Sequence, residues 1–376
     1  MKEIYLDNAA TTKVSDEVVS AMLPYFTKDY ANPSSKHEAG KKAREAVEKA
    51  RKTIANKIVA KQGEIIFTSG GTESNNLTLK GLFFANYPSK NHIITTKIEH
   101  DSVLNTCKWL EGKGAKVTYL DVDKEGFVEI EDIKKAITNK TFLVSVIHGN
   151  NEIGTIQNIA AIGKLCKEKK VLFHTDACQS FAKSLLNVNK QNLDLVTLNA
   201  HKIHGPKGVG ALYIREGTKI VPLFHGGEHE RGLRSGTENV SGIVGFAKAV
   251  EIAKQKDVDN MKKLRDMLIK DLLEISGAKL NGSVDNRLCN NVNISFKNIN
   301  GETLLSYLEN EGIYCSAGSA CMSNSGTKSH VLMALGLNNK EVESSLRISL
   351  SKYNTKKEVE FVIDKIKEIV KKLRKI

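Results

Sequence analysis

Between about residue 63 and residue 215, short runs rich in β-branched and aromatic residues alternate with longer stretches of helical spacing. The runs are EIIFTS, HIITTK, KVTYLDV, TFLVSVIH, VLFHTD, LDLVTL and VGALYI. Strands buried on both faces read as near-continuous apolar runs, and strands separated by helices cross over to pair in parallel. The pattern therefore predicts an α/β fold with a mostly parallel sheet. After Gly232 it changes to a long helical stretch over about 260–275, short strands such as VNISF and RISL, and a terminal helix. In that last helix Val359, Val362, Ile363, Ile366, Val370 and Leu373 share one face. This part reads as a smaller α+β domain, and no internal repeat or low-complexity linker interrupts the chain.

The 376 residues, 40% hydrophobic and 26% charged, suit two domains and exclude a disordered or collagen-like chain. The longest apolar runs fall far short of the ~20 residues of a membrane span, and MKEIYLDNAATT lacks the basic-then-apolar order of a secretory signal. A cytoplasmic protein that does not enter membranes is the expectation. Cys107, Cys166, Cys178, Cys289, Cys315 and Cys321 form no C-x-x-C pair, in keeping with reduced thiols. The net charge of +13 attracts acidic or phosphate-bearing partners. In the last 25 residues nine Lys/Arg face four Asp/Glu, but the apolar spacing there makes these charges the solvated face of a docked helix. A basic nucleic-acid or scaffold-binding module is the non-enzymatic alternative; no reading motif supports direct nucleic-acid binding.

In parallel sheets, ligands bind beyond the carboxyl ends of the strands. Three such ends carry chemistry here. EIIFTSGGTESNN runs through Gly70, Gly71 and Thr72 into a helix, where small residues let backbone N–H groups approach a phosphate. VLFHTDACQS puts Asp176 at a strand end, a carboxylate able to keep a pyridine nitrogen protonated. LDLVTLNAHKIHGPKG puts Lys202 just past another strand, where an amine can form a Schiff base with an aldehyde cofactor. Singly these are an ordinary turn, an ordinary acid and a surface lysine; jointly they point to pyridoxal phosphate. Histidine pairs offer a rival reading, since His201 with His204 and His225 with His229 have spacings that suit a metal. They lack the H-E-x-x-H context, and no metal is expected. In CSAGSAC, Cys315 ends an apolar run as a packed thiol would, whereas Cys321 stands in a Gly/Ser-rich stretch that reads as an exposed loop and is the candidate nucleophile.

In order along the chain, YLDNAATT, NPSSKHEAG, FTSGGTESNN, EHDSV, GNNEIGTIQ, HTDACQS, NAHKIHGPKG, ERGLRSGTEN, GSAC and SLRISL resemble the cysteine desulfurases. These are pyridoxal-phosphate enzymes of the class V aminotransferase group, and the resemblance is to the branch that supplies sulfur for iron-sulfur clusters. It implies the type I fold of PLP-dependent transferases, with a large PLP-binding domain at 16–257 and a small domain of 1–15 and 258–376 carrying the cysteine loop. It implies that Lys202 holds the cofactor as a Schiff base and moves the α-proton, that Asp176 pairs with the pyridine nitrogen and Gln179 with the phenolic oxygen. His100 would stack on the ring and share in catalysis. Gly71, Thr72, Asn199 and His201 would hold the phosphate, with Thr237 reaching in from the second subunit of a homodimer. Asn151, which would also contact the cofactor, and Arg347 would orient the substrate, Arg347 by a bidentate clamp on its carboxylate, with Asn32 assisting. The implied reaction turns L-cysteine into L-alanine and leaves its sulfur as a persulfide on Cys321, for an acceptor such as a cluster scaffold or a tRNA-thiolation enzyme. A selenocysteine lyase or another class V enzyme is the enzymatic alternative. Three positions depart from the family: Asn199 where serine is usual, Glu228 in place of a glycine, and Cys178 where alanine is common.

Overall fold

The computed structural model of the protein describes residues 3–317 and 328–375. In chain order its strands are β1 (Ile4–Tyr5), β2 (Ile65–Thr68), β3 (His92–Thr96), β4 (Lys116–Leu120), β5 (Thr141–Ser145) and β6 (Leu172–Asp176). There follow β7 (Leu195–Asn199), β8 (Gly210–Ile214), β9 (Ala278–Leu280), β10 (Asn291–Phe296), β11 (Ile313–Tyr314) and β12 (Ser345–Ser349). Seven of them form one sheet in the order β2-β8-β7-β6-β5-β3-β4. Only β8 runs against its neighbours, and every other pairing is parallel. Each of the seven apolar runs of the sequence supplies one of these strands. Because β2 and β7 are both antiparallel to β8, they share a direction, and their carboxyl ends open on the same edge as that of β6.

The pleat sorts the side chains of this sheet between two apolar layers. Ile94, Val144, Val196 and Tyr213 enter one cluster, and their neighbours Ile93, Leu143, Leu195 and Leu212 enter the other. The helices Glu38–Lys57 and Val240–Ile252 cover the first layer with Val47, Ile54 and Phe246. The helices Gly71–Asn86 and Asp101–Glu111 cover the second with Leu79, Phe83, Val103 and Leu110. A strand covered on both faces keeps no polar side for solvent, which is why these segments read as continuous apolar runs.

A separate apolar cluster surrounds the antiparallel sheet β12-β10-β9. Ile294, Phe296, Leu346 and Ile348 pack there against the helices Gln255–Leu273 and Lys356–Leu373. The terminal helix starts in a capping box: the Glu358 N–H donates to the Thr355 hydroxyl, and the Thr355 N–H donates to the Glu358 carboxylate. It buries Val359, Val362, Ile363, Ile366, Ile369 and Val370, each contributing roughly 1.5–3 kcal/mol by area burial. The N-terminal segment joins this part, because β1 pairs in parallel with β11 and Ile4 and Leu6 enter the same cluster. That route carries residues 7–12 across the carboxyl edge of the large sheet.

Candidate active site

On that edge β2 and β7 end on either side of β8, where Thr68 and Asn199 both pair with Gly210. The chain then turns through Gly70 at φ +151°, a conformation that L side chains rarely adopt, and enters the helix Gly71–Asn86. Gly71 lies hard against the next strand connection, since a Cβ there would stand 2.6 Å from the Cys178 Sγ. Gly70, Gly71 and Thr72 line an open cavity of about 440 Å³ with Thr11, His201 and Lys207. A helix start and a lysine give this cavity the polarity an anion seeks.

Asp176 closes β6 and is 4% exposed. Its Oδ1 accepts the Cys178 N–H at 2.9 Å, and its Oδ2 accepts from Asn75 Nδ2 at 2.7 Å. Burial, with the Asp176 carboxylate adding to it, pushes the Cys178 thiol well above its ordinary value, so this cysteine is a packing group rather than a nucleophile. Lys202 lies three residues past β7, and its Nζ donates to the carbonyls of Ala9 and Ala10. Gln179 Nε2 donates to the same Ala9 carbonyl at 2.8 Å. The Thr12 hydroxyl donates to the His201 carbonyl at 2.9 Å and accepts the His204 N–H at 2.8 Å, clamping the N-terminal segment over the Lys202 turn. Burial first, then the positive charges of Lys202, Lys207 and Lys183, push His201 down to about 3. Its ring is therefore neutral at physiological pH and able to donate one hydrogen bond.

Arg347 on β12 is 2% exposed. Its Nη2 donates to Asp7 Oδ1 at 2.7 Å and its Nη1 to the Asn151 carbonyl at 3.3 Å, while its buried Nε has no partner among the described residues. A buried guanidinium with a spare donor is matched to an anionic ligand. His100 caps the helix Asp101–Glu111, its Nδ1 accepting the Ser102 N–H. The next residue inward, Glu99, is buried; desolvation pushes its carboxyl up to about 8, against the hydrogen bonds from Thr96 and the Ile147 N–H.

Cys321 lies outside the described residues. Of the segments that flank it, Ser316 exchanges backbone hydrogen bonds with Arg347, and the Ser329 hydroxyl donates to buried Glu152 at 2.5 Å. Both anchors adjoin the substrate residues expected from the sequence. Cys315 directly follows β11, and burial pushes its thiol up to about 12.

Two expected residues are exposed in the single chain. Asn32 is exposed, its side-chain oxygen accepting the Ser34 N–H at 2.9 Å in a local turn. Thr237 is exposed and lines a smaller cavity of about 120 Å³ with Ser69 and Gly208. The histidines of the metal reading diverge: His201 meets Thr11, whereas His204 Nδ1 meets the Lys13 carbonyl. Among the described residues no three His, Cys, Asp or Glu gather as a metal site. Asn75, Asp7 and Thr12 were not singled out from the sequence, although all three stand inside the quoted motifs, Asn75 four residues past Gly71.

The chain matches the model of the aminotransferase class-V family over residues 4–362. It is 51% identical to the cysteine desulfurase IscS of Methanosarcina thermophila, over 99% of this chain and 93% of that protein. It is 48% identical to the enzyme of the same name from Dictyoglomus turgidum, over 100% and 96%. Among solved structures, a NifS-like protein superposes with a TM-score of 0.92 at 42% identity, covering 98% of this chain and all of that one. A structure described as SspA in complex with cysteine superposes with a TM-score of 0.85 at 39% identity, covering 94% and 100%. With the lysine, the acid and the glycine turn at three strand ends of a type I sheet, the chain belongs to the class-V aminotransferase family and, within it, to the pyridoxal-phosphate-dependent cysteine desulfurases.

Proposed function

We propose that the protein moves the sulfur of L-cysteine onto Cys321 as a persulfide, releases L-alanine, and passes the sulfur to an acceptor protein for iron-sulfur clusters or thiolation. The observation that carries this reading is the convergence of Lys202, Asp176 and the 70–72 turn on one sheet edge, with the Nε of Arg347, unpartnered among the described residues, beside Asn151. The neighbouring structure described with cysteine supports the substrate.

The residues fit pyridoxal phosphate. Gly71, Thr72 and neutral His201 would hold the phosphate, and Asn199, whose Nδ2 would stand 3.8 Å from a Cβ on Gly71, would donate its amide N–H where a serine hydroxyl is usual. Asp176 would hold the pyridine nitrogen, Gln179 the phenolic oxygen and His100 the ring face. Bound there, pyridoxal phosphate supplies the electron sink that makes the amino acid Cα acidic. The Lys202 amine takes the Cα proton and returns a proton to the product. Arg347 orients the substrate carboxylate, its own plane held by Asp7, with Asn151 beside it and Asn32 as an outer contributor. The Cys321 thiolate forms an S–S bond to the substrate sulfur as the Cβ–S bond breaks, and Cβ is protonated. One L-cysteine and one thiol thus become one L-alanine and one persulfide.

The same reading makes the protein a homodimer, in which exposed Thr237 completes the phosphate site of the partner subunit. It divides the chain into a domain of 16–257 and one of 1–15 with 258–376, a division supported by the separate apolar cluster around β10 and β12. It also places the enzyme in the cytoplasm; among the described residues no helix is long and apolar enough to cross a membrane.

The test is brief exposure of the cofactor-loaded protein to L-cysteine, with alanine measured and the cysteine peptides mapped by mass spectrometry. Alanine and one added sulfur on the Cys321 peptide are expected. Cys321→Ser should lose both, Cys315→Ser should keep both, and Lys202→Ala should make no alanine. Added sulfur on Cys315, or an active Cys321→Ser, overturns the assignment. Turnover of L-selenocysteine alone would favour the lyase.

A further inference from the structure

Four side chains form one hydrogen-bonded line across the site. Asn75 Nδ2 donates to Asp176 Oδ2 at 2.7 Å and, from the same nitrogen, to Ser102 Oγ at 2.8 Å. Ser102 Oγ in turn lies 2.8 Å from His100 Nδ1. Asp176 and Asn75 are 4% and 1% exposed, so water does not compete for the bond between them, while the bonds to Ser102 and His100 are partly buried.

Counting donors places the hydrogens. A carboxylate accepts, so the Asn75 atom facing Asp176 is the amide nitrogen, and its two hydrogens go to Asp176 and to Ser102. The Ser102 oxygen, having accepted one hydrogen, directs its own to His100 Nδ1. The backbone N–H of Ser102 is aimed at the same nitrogen, at 3.1 Å. With two donors converging on it, Nδ1 carries a lone pair, and the hydrogen of the neutral ring sits on Nε2. Helix capping by His100 accounts for the Ser102 contacts alone. It leaves unexplained why both Asn75 hydrogens are committed to joining Asp176 to Ser102.

We infer that Asn75 and Ser102 are positioning residues that couple His100 to Asp176 and hold the His100 proton on Nε2. The benefit to turnover rests on the roles proposed above for Asp176 and His100; the hydrogen placement rests on this chain's own atoms. With both residues in place, the two groups that would grip the cofactor ring are set as one unit before any ligand arrives.

The experiment is nitrogen NMR of protein labelled with 15N-histidine, with and without pyridoxal phosphate, His100 being assigned by its loss in His100→Gln. The wild type should show Nδ1 bare and Nε2 protonated in both forms. Ser102→Ala should mix the tautomers, and Ser102→Thr, which keeps the hydroxyl, should restore the original one. In turnover of L-cysteine, Asn75→Ala and Ser102→Ala should lower kcat by about tenfold, the scale of one lost buried hydrogen bond. KM should hardly move, because Arg347 is untouched. A wild-type His100 protonated on Nδ1 overturns the inference without any variant being needed, as does a Ser102→Ala protein with an unchanged tautomer. A wild type that makes no alanine would sink the proposed reaction and leave the tautomer result standing.

Discussion

Gly71 and Cys178 share a contact with no spare room. A Cβ on Gly71 would meet the Cys178 Sγ at 2.6 Å, and that thiol is boxed in beside Asp176. Gly71→Ala should therefore destabilise the protein by roughly 1–3 kcal/mol through overpacking, and loosen the cofactor by shifting the phosphate turn. Adding Cys178→Ala removes the opposing sulfur, so the double variant should recover most of that loss. Urea unfolding of the two single variants and the double one decides the matter; strictly additive effects would mean that the contact is not the cause. The unusual cysteine at 178 thus acquires a physical partner, the glycine at 71. At this scale Lys202 and Asp176 were legible because a charged group directly after an apolar run stands out. Asn75 was not, because an amide on a helix has no distinctive neighbour until the fold brings β6 beside it.

Among the elements, the end of β3 carries the clearest dependence on pH. Glu99 is held at about 8 against an ordinary 4.5, mainly by burial, and its Oε2 has no partner among the described residues. Between those values the unfolded chain has given up a proton that the folded chain retains. Stability from this group is complete below about pH 4.5 and is lost as pH rises toward 8. Glu99→Gln can keep the bonds from Thr96 and Ile147 and has no proton to lose. It should therefore gain on the wild type by on the order of 3–5 kcal/mol between pH 5 and pH 8.5, measured by denaturant unfolding at both values. An equal difference at the two pH values would show that the carboxyl is not held protonated. The strands were readable since two-sided burial forces continuous apolar runs. The helix Glu38–Lys57 was harder to read: its buried stripe is Gly40, Ala43, Val47, Ala50, Arg51, Ile54 and Ala55, small residues with an arginine among them. Arg51 is buried because Glu230, far along the chain, meets it through two bonds of 2.6 and 2.8 Å.

For the whole molecule, the single chain leaves Thr237 exposed, and on the reading proposed above it completes the phosphate site of a second copy. Sedimentation should find a dimer at working concentrations, and Thr237→Ala should weaken cofactor retention severalfold while leaving the unfolding midpoint of the cofactor-free protein in place. A monomer that binds pyridoxal phosphate tightly would contradict the arrangement. The local sequence was enough to determine the sheet, the terminal helix and the placement of the candidate residues at three strand ends, because apolar periodicity and charged residues at strand ends are local signals. The ordered motifs were enough to point to the family. Only the tertiary structure decided that the segment around Asp7 and Ala9 crosses the edge of a sheet it does not belong to, that Arg347 keeps one buried donor unpaired among the described residues, and that Asn75 joins Asp176 to Ser102. Each of those depends on contacts between residues from 27 to 340 positions apart, which no local pattern of side chains encodes.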